Sequence, residues 1–224
     1  MSRRANASHR CPRCRLHLSL CVCDRLPRIE TRTKLLLIIH RIEDRKPTNT
    51  GRLAAHCLAN SEVILRGDEA APPAPFTWGR ETQPVFLFPR EGAVPITRFV
   101  GSSAPVTLIV PDGTWRQAFK VRKRIPGLSD VPSVSLPPGP PTAYRLRAET
   151  QDQGLATIEA IARAFGVLDG PAVQAELERA FKMMVDRTLW ARGLLDTDRV
   201  TGGIPEGAER HDPRSGQGRE RSLA

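Results

Sequence analysis

The stretch Val106-Thr107-Leu108-Ile109-Val110-Pro111-Asp112-Gly113-Thr114-Trp115 decides the fold class. Its first five residues form an apolar, mostly β-branched run, which is typical of a buried strand. Pro111 lacks the amide donor that a central strand needs, so we expect the strand to end there. Asp112 to Trp115 then emerge at the carboxyl end of a strand, where open α/β sheets place ligand sites. An ordinary strand–turn–helix junction, with Asp or Thr as the cap, is the structural alternative.

Strand and helix patterns alternate along the chain. Buried strands are predicted at 34–40, 62–65, 85–88, 106–110 and 131–136. Helices are predicted from Asn49 or Thr50, from Trp115, after a capping box at Thr150 and Gln153, and over 172–191. This alternation predicts an α/β fold with a largely parallel sheet and helices on both faces.

Composition divides the chain into three segments. Residues 1–33 are basic and Cys-rich, and 34–198 contain the strands and helices. Residues 199–224 are rich in Gly, Arg and Pro, and we expect disorder from about Thr201 onward. No apolar run is long enough to span a membrane. No apolar run follows Arg3 and Arg4, as it would in a signal peptide. The expected location is therefore the cytoplasm.

Positive charge is concentrated in two places. The formal net charge is +10 and the isoelectric point is near 10.2. Residues 1–34 hold nine lysines and arginines against two acids, and residues 115–130 hold five against one. Such clustering is typical of a surface that binds a polyanion, whereas a solubilising surface is the simpler alternative.

The helix predicted from Trp115 carries one of these clusters. Helical spacing aligns most of its cations in one stripe, which we expect to contact RNA phosphates: Arg116, Lys120, Lys123 and, beside them, Arg124. Phe119 and Ile125 fall on other faces, so we expect them to anchor the helix to the sheet. A solvated cationic face is again the alternative.

Four of the five cysteines lie within 13 residues of one another, as Cys11-x-x-Cys14 and Cys21-x-Cys23. Four thiolates suit a closed, structural Zn²⁺ site, and the absence of a secretion signal makes a disulfide framework the weaker interpretation. Four reduced thiols, or ligation shared with His9 or His17, are the alternatives. Cys57 fits an apolar helix face and is expected in the core.

Asp112-Gly113-Thr114-Trp115 resembles the Asp-x-Thr-Trp signature of the DTW-domain family of tRNA-uridine aminocarboxypropyltransferases. Four other stretches are also similar to that family: Asn49-Thr50-Gly51-Arg52 after His40-Arg41-Ile42-Glu43, Phe88-Pro89-Arg90-Glu91-Gly92-Ala93, Tyr144-Arg145-Leu146-Arg147, and Leu155-Ala156-Thr157-Ile158-Glu159-Ala160. The resemblance covers about 11–195. It departs at Arg41, where the family usually has proline, and at Ala156, where serine is common.

The resemblance implies a SPOUT-like sheet, related to the knotted RNA-modifying enzymes, and S-adenosylmethionine as co-substrate. It implies transfer of the 3-amino-3-carboxypropyl group to N3 of a uridine in tRNA, which gives acp3U and methylthioadenosine. Asp112 would act as the base, orient N3–H, or hold the sulfonium or amino group of the donor. Thr114 would bind the donor's carboxylate, and Trp115 would stack on the target base or else anchor its helix in the core.

Strand-end loops would then line the donor pocket. The candidate residues are Phe88, Pro89, Pro111, Gly113, Leu136, Tyr144, Arg145 and Arg147, of which Pro89, Leu136 and Tyr144 serve equally well as packing residues. Arg145 and Arg147 suit the donor's carboxylate or an RNA phosphate. A SPOUT-class RNA methyltransferase and a non-catalytic, zinc-containing RNA-binding protein are the rival functions. Nothing in the sequence points to one tRNA, one uridine position or one oligomeric state.

Overall fold

The computed structural model describes residues 9–47, 49–67, 78, 81–146, 154–212 and 217–218. Its strands are β1 (Lys34–His40), β2 (Ser61–Arg66), β3 (Gln83–Leu87), β4 (Val94–Pro95), β5 (Val106–Asp112), β6 (Ser133–Ser135), β7 (His211–Asp212) and β8 (Gln217–Gly218). The first six form one sheet in the order β2-β1-β5-β3-β6-β4, and every pairing in it is parallel. The last two form a separate antiparallel pair. The predicted α/β class is confirmed.

Helices cover both faces of the sheet. They are α1 (Arg41–Asp44), α2 (Gly51–Cys57), α3 (Trp115–Arg124), α4 (Thr157–Leu168) and α5 (Pro171–Ala191). Successive side chains of a strand point to opposite faces, so Leu35 and Leu37 pack with α2, α4 and α5. Leu36 and Ile38 pack on the other face, with α3. Among the residues that the structure describes, no helix combines the length and apolarity needed to cross a membrane.

Pro111 does not end its strand, so that prediction is wrong. β5 continues through Pro111 to Asp112, paired with β1 up to Ile39↔Asp112. On its other side, pairing with β3 stops at Phe86↔Ile109. Pro111 therefore lies where β5 has a neighbour on one side only, which is an edge-like position that proline tolerates.

Several boundaries also differ from the predictions. β4 has no predicted counterpart, since two paired residues leave little pattern, and β6 is shorter than expected. α2 ends at Cys57, where Leu58 turns extended. α4 begins only at Thr157. The predicted capping box at Thr150 and Gln153 lies outside the described residues.

A buried arginine in α5 bonds to both the cysteine-rich segment and the segment that follows α5. Arg187 is 2% exposed and donates to the carbonyl oxygens of Cys21 and Gly203. Thr201 donates its backbone N–H and its hydroxyl to Asp186, at 3.1 and 2.7 Å. The segment expected to be disordered from Thr201 thus starts with residues fixed to the domain.

Candidate functional site

The carboxyl ends of the central strands form the candidate site. Because the sheet is parallel, β1, β5 and β3 end at the same edge. His40 ends β1, Asp112 ends β5, and Phe88 directly follows β3. The sequence therefore placed the Asp112 segment at the correct edge of the sheet.

Two neutral donors orient the carboxylate of Asp112. Asn49 Nδ2 donates to Oδ2 at 2.5 Å, and Thr157 Oγ1 donates to Oδ1 at 2.6 Å. The amide of Asn49 is itself fixed, because its Oδ1 accepts the backbone N–H of Arg52 at 2.9 Å. Asn49 must therefore present its NH₂ group to Asp112. The carboxylate is held in one orientation by side chains from α4 and from the segment before α2.

Gly51 lets the first turn of α2 approach that carboxylate. A Cβ atom at Gly51 would lie 2.7 Å from Asp112 Oδ2 and 3.1 Å from Leu37 Cδ1. The distance to Asp112 Oδ2 is shorter than the van der Waals contact of carbon and oxygen. Neither side chain can move away freely, because the Asp112 carboxylate is held by two hydrogen bonds and Leu37 is buried. Only glycine fits at this position.

The first turn of α4 joins the remaining parts of the site. Thr157 holds Asp112, and Thr50 Oγ1 accepts the backbone N–H of Ile158 at 3.3 Å. Buried Glu159 accepts the N–H groups of Ala143 and Ala156, at 2.7 and 2.8 Å. Ala156 is the N-cap of α4 and has no side-chain acceptor. Thr50, the residue before α2, supplies an acceptor instead. The structure thus accommodates alanine where the family commonly has serine.

Sequence reasoning missed Thr157 and Glu159 as site residues. A signal was present, because both lie in the Leu155–Ala160 stretch that resembles the DTW family and Glu159 stands three residues after the cap. Asn49, predicted only as a possible start of a helix, contacts Asp112 directly.

The residues predicted for the donor pocket are only partly brought together. Pro111 is buried within β5, and Leu136 is half-buried against the apolar core. Pro89 and Gly113 are exposed in the loops after β3 and β5. Tyr144 packs its ring in the core, with its centroid 5.5 Å from that of Phe181. Arg147 lies outside the described residues.

Arg145 is paired with a buried carboxylate. Its guanidinium lies 3.6 Å from Asp186 Oδ1, and its side chain is 61% exposed. Burial alone would raise the pKa of Asp186, but the hydrogen bonds from Lys182 and Thr201 outweigh burial and lower that pKa. Asp186 therefore stays charged beneath Arg145 and restrains its guanidinium while leaving it accessible.

Thr114 and Trp115 start α3 at the same edge. Thr114 Oγ1 accepts the N–H of Gln117 at 3.3 Å, and Gln117 Oε1 accepts the N–H of Thr114 at 2.8 Å, which completes a capping box. The Trp115 side chain contacts Phe88, with ring centroids 5.6 Å apart, yet Trp115 remains 40% exposed. Trp115 is therefore not an anchor buried in the core.

Ala118 and Ile125 anchor α3 to the sheet, since both are buried. The expectation that Phe119 is an anchor is wrong, because Phe119 is 51% exposed and only flanks Phe88. The side chain that approaches its ring from the helix is Lys123, whose ammonium lies 5.3 Å from the ring centroid.

The cations of α3 divide into two groups. The four predicted RNA-contacting residues are all exposed: Arg116, Lys120, Lys123 and Arg124. Arg122 instead donates to Ser133 Oγ at 2.7 Å and to the Ser129 carbonyl at 2.5 Å, which fixes the end of the helix. Arg66 at the end of β2 lies near Arg124, and burial, together with this like charge, lowers the pKa of Arg66. Arg66 is therefore a further basic side chain close to the end of α3.

The cysteine cluster has the dimensions of a metal site. The Sγ atoms of Cys11, Cys14, Cys21 and Cys23 all lie within 4.8 Å of one another. Two of the separations are 3.6 Å and 3.8 Å, and tetrahedral zinc with Zn–S bonds of about 2.3 Å needs sulfurs about 3.8 Å apart. None of the five cysteines forms a disulfide bond, and burial raises the pKa of Cys57 to about 12, as expected for a core thiol.

Comparison with known proteins identifies the family of the chain. Residues 8–189 match the DTW domain. Curated proteins named tRNA-uridine aminocarboxypropyltransferase 2 are similar to the chain. The Macaca fascicularis protein is 28% identical over 167 residues, which is 71% of this chain and 56% of that protein. The Drosophila melanogaster protein is 23% identical over 182 residues, 78% of this chain and 72% of that protein.

The Mus musculus protein is 27% identical over 167 residues. The chain spans little more than half the length of the two mammalian relatives, 56% in each case. No solved structure matches the chain. Because the domain match covers most of the sequence, including the cysteine cluster and the Asp112 edge, the resemblance is confirmed: the chain belongs to the DTW domain family.

Proposed function

We propose that this protein transfers the 3-amino-3-carboxypropyl group of S-adenosylmethionine to N3 of a uridine in tRNA. The products are acp3U and methylthioadenosine. One observation carries the proposal: the carboxylate of Asp112 is oriented by Asn49 and Thr157 at the carboxyl edge of the sheet, three residues before exposed Trp115. Membership of the DTW family and the names of the curated relatives support the choice of reaction.

Asp112 supplies what the uracil ring lacks. A neutral N3 carries a proton and is a poor nucleophile, so a fixed carboxylate beside it accepts that proton as the new N3–carbon bond forms. The bound donor supplies a sulfonium whose neighbouring γ-carbon is open to attack, and the carbon–sulfur bond breaks as methylthioadenosine leaves. Asn49 and Thr157 keep the carboxylate aimed during this step, which reduces the cost of orientation.

Arg145 binds the donor's carboxylate in this proposal. Its exposed guanidinium offers a planar, bidentate fork, and buried Asp186 restrains it from below. The hydroxyl of Thr114 accepts within the capping box and keeps its own proton, so Thr114 is a further donor at the same edge. In this proposal the exposed loops after β3 and β5, including Pro89 and Gly113, line the open side of the donor site.

The four clustered cysteines hold one structural Zn²⁺ in this proposal. Such a closed site has no chemical role and instead stabilises a segment that has little apolar core of its own. That segment contacts α2 through His56, whose ring nitrogen lies 3.1 Å from the Arg13 carbonyl, and α1 through the Arg15–Asp44 ion pair at 3.5 Å. The metal therefore fixes basic side chains close to the catalytic domain. We also propose that the protein is located in the cytoplasm.

The proposal is tested with purified protein, bulk tRNA and S-adenosylmethionine, followed by mass spectrometry of the digested nucleosides. We expect uridine that has gained an aminocarboxypropyl group. Uridine that has gained only a methyl group would assign the protein to the RNA methyltransferases. RNA binding with no modified nucleoside would assign it to the non-catalytic RNA-binding proteins.

A further inference from the structure

Helix α3 exposes two aromatic rings one turn apart. Trp115 is 40% exposed and Phe119 is 51% exposed. Four residues of separation place both on one face of the helix, and both flank the ring of Phe88, at 5.6 and 6.5 Å between centroids. The two rings form one exposed aromatic patch, and within the described part of the chain they are not needed as core residues of the domain.

The positive charges around this patch indicate what kind of molecule binds to it. Lys123 places its ammonium 5.3 Å from the centroid of Phe119. The same helix exposes Arg116, Lys120 and Arg124, and its sequence contains no acidic residue. An occupant must therefore offer flat π faces together with repeated negative charge. Single-stranded nucleic acid has both properties, and proteins bind it by this combination of stacking aromatics and cations.

The spacing of the rings requires nucleotides that are not stacked on each other. Four residues advance a helix by about 6 Å along its axis. Successive bases in one strand of a duplex are only about 3.4 Å apart. Two neighbouring bases lying one on each ring must therefore be separated from each other, as in a loop.

We propose that Phe119 stacks on the nucleotide next to the target uridine, while Trp115 stacks on the uridine itself. This inference rests on the proposed function and adds a substrate requirement to it: the uridine must have an unpaired base beside it. Phe119 lies one turn further than Trp115 from Asp112 along the helix. It is thus a positioning residue that selects RNA and does not touch the reacting atoms.

The test pairs variants of Phe119 with RNA that lacks the neighbouring base. The substrates are a hairpin with the target uridine in its loop and two copies in which the 5′ or the 3′ neighbour is abasic. For wild type we expect one of the abasic copies to bind about tenfold more weakly than the intact loop. Phe119→Ala should bind the intact loop about tenfold more weakly and show no further loss on that abasic copy. Phe119→Trp should behave as wild type.

Two controls separate stacking from damage to the fold. Leu194→Ala truncates another apolar side chain, 67% exposed after α5, and should leave RNA affinity unchanged. Phe119→Leu keeps an apolar side chain of similar bulk but has no π face, so it should lose RNA affinity as Phe119→Ala does. If Phe119→Ala melts at a lower temperature than wild type, Phe119→Leu replaces it in the binding test. Binding of S-adenosylmethionine should be equal in all variants.

Additive losses, in which Phe119→Ala weakens intact and abasic RNA by the same factor, would overturn the inference. Unchanged affinity of Phe119→Ala would overturn it too and would leave the patch to a protein partner. These results are distinct from failure of the proposed function. If wild type discriminates the abasic RNA but transfers nothing to uridine, the stacking holds and the proposed reaction fails.

Discussion

Asp112→Asn should lower the rate of transfer by about 10²- to 10⁴-fold while preserving the fold. The substitution exchanges one carboxylate oxygen for an NH₂ group. That group must face Thr157, because Asn49 is locked as a donor by its bond from the N–H of Arg52. The Thr157 hydroxyl can rotate and accept a hydrogen bond. Both contacts therefore survive, and only the proton acceptor is lost.

The magnitude follows from these contacts. Replacing two hydrogen bonds to a charged group by neutral ones should cost about 1 kcal/mol in the free energy of unfolding. Loss of a general base lowers turnover by about 10²- to 10⁴-fold, equivalent to about 3–5 kcal/mol of transition-state stabilisation. The defect should therefore fall on turnover and leave donor affinity almost unchanged.

Single-turnover assays with excess protein, together with calorimetric binding of S-adenosylmethionine, measure the two quantities separately. Asp130→Asn is the matched control, because Asp130 is an exposed carboxylate between α3 and β6 that bonds only to a neighbouring serine among its described contacts. It should retain wild-type turnover. If Asp112→Asn turns over within a few-fold of wild type, Asp112 is not the base.

Three further predictions concern metal, RNA and stability. One Zn²⁺ should be found per chain by metal analysis, and Cys23→Ser should release it and weaken tRNA binding, whereas metal-free protein as purified would contradict the site. Lys120 and Lys123 changed together to Ala should make the slope of log affinity against log salt shallower by about two, and an unaltered slope would leave the basic N-terminal segment as the main RNA contact. Thr50→Val should cost about 1 kcal/mol in chemical denaturation, and Ala156→Ser should restore most of it by capping α4 locally; strictly additive effects would show that Thr50 is not the cap.

Local patterns were sufficient for much of the fold. β1 was predicted at its observed bounds, because a short, continuous apolar run bounded by charged residues is compatible with few structures other than a buried strand. The place of Asp112 followed from one strand and a general rule about parallel sheets. The cysteine cluster followed from spacing alone, since four thiols within 13 residues can meet without help from the rest of the chain.

Contacts between distant segments were not predictable in this way. Thr157 is 45 residues from Asp112, and no periodicity links them. Pro111 continues its strand because β3 stops pairing beside it, which is a property of the neighbour. Phe119 was expected against the sheet, but whether a ring on this helix is covered depends on which other segments of the chain pack there.

The most direct test of the central claim follows two labels of the donor. S-adenosylmethionine carrying one isotope in its carboxyl group and another in its methyl group is incubated with the protein and tRNA. If Asp112 directs N3 of uridine to the γ-carbon, the carboxyl label enters tRNA at uridine and the methyl label leaves in methylthioadenosine, in equal amounts. Methyl label in tRNA, with the carboxyl label retained in S-adenosylhomocysteine, would contradict the account.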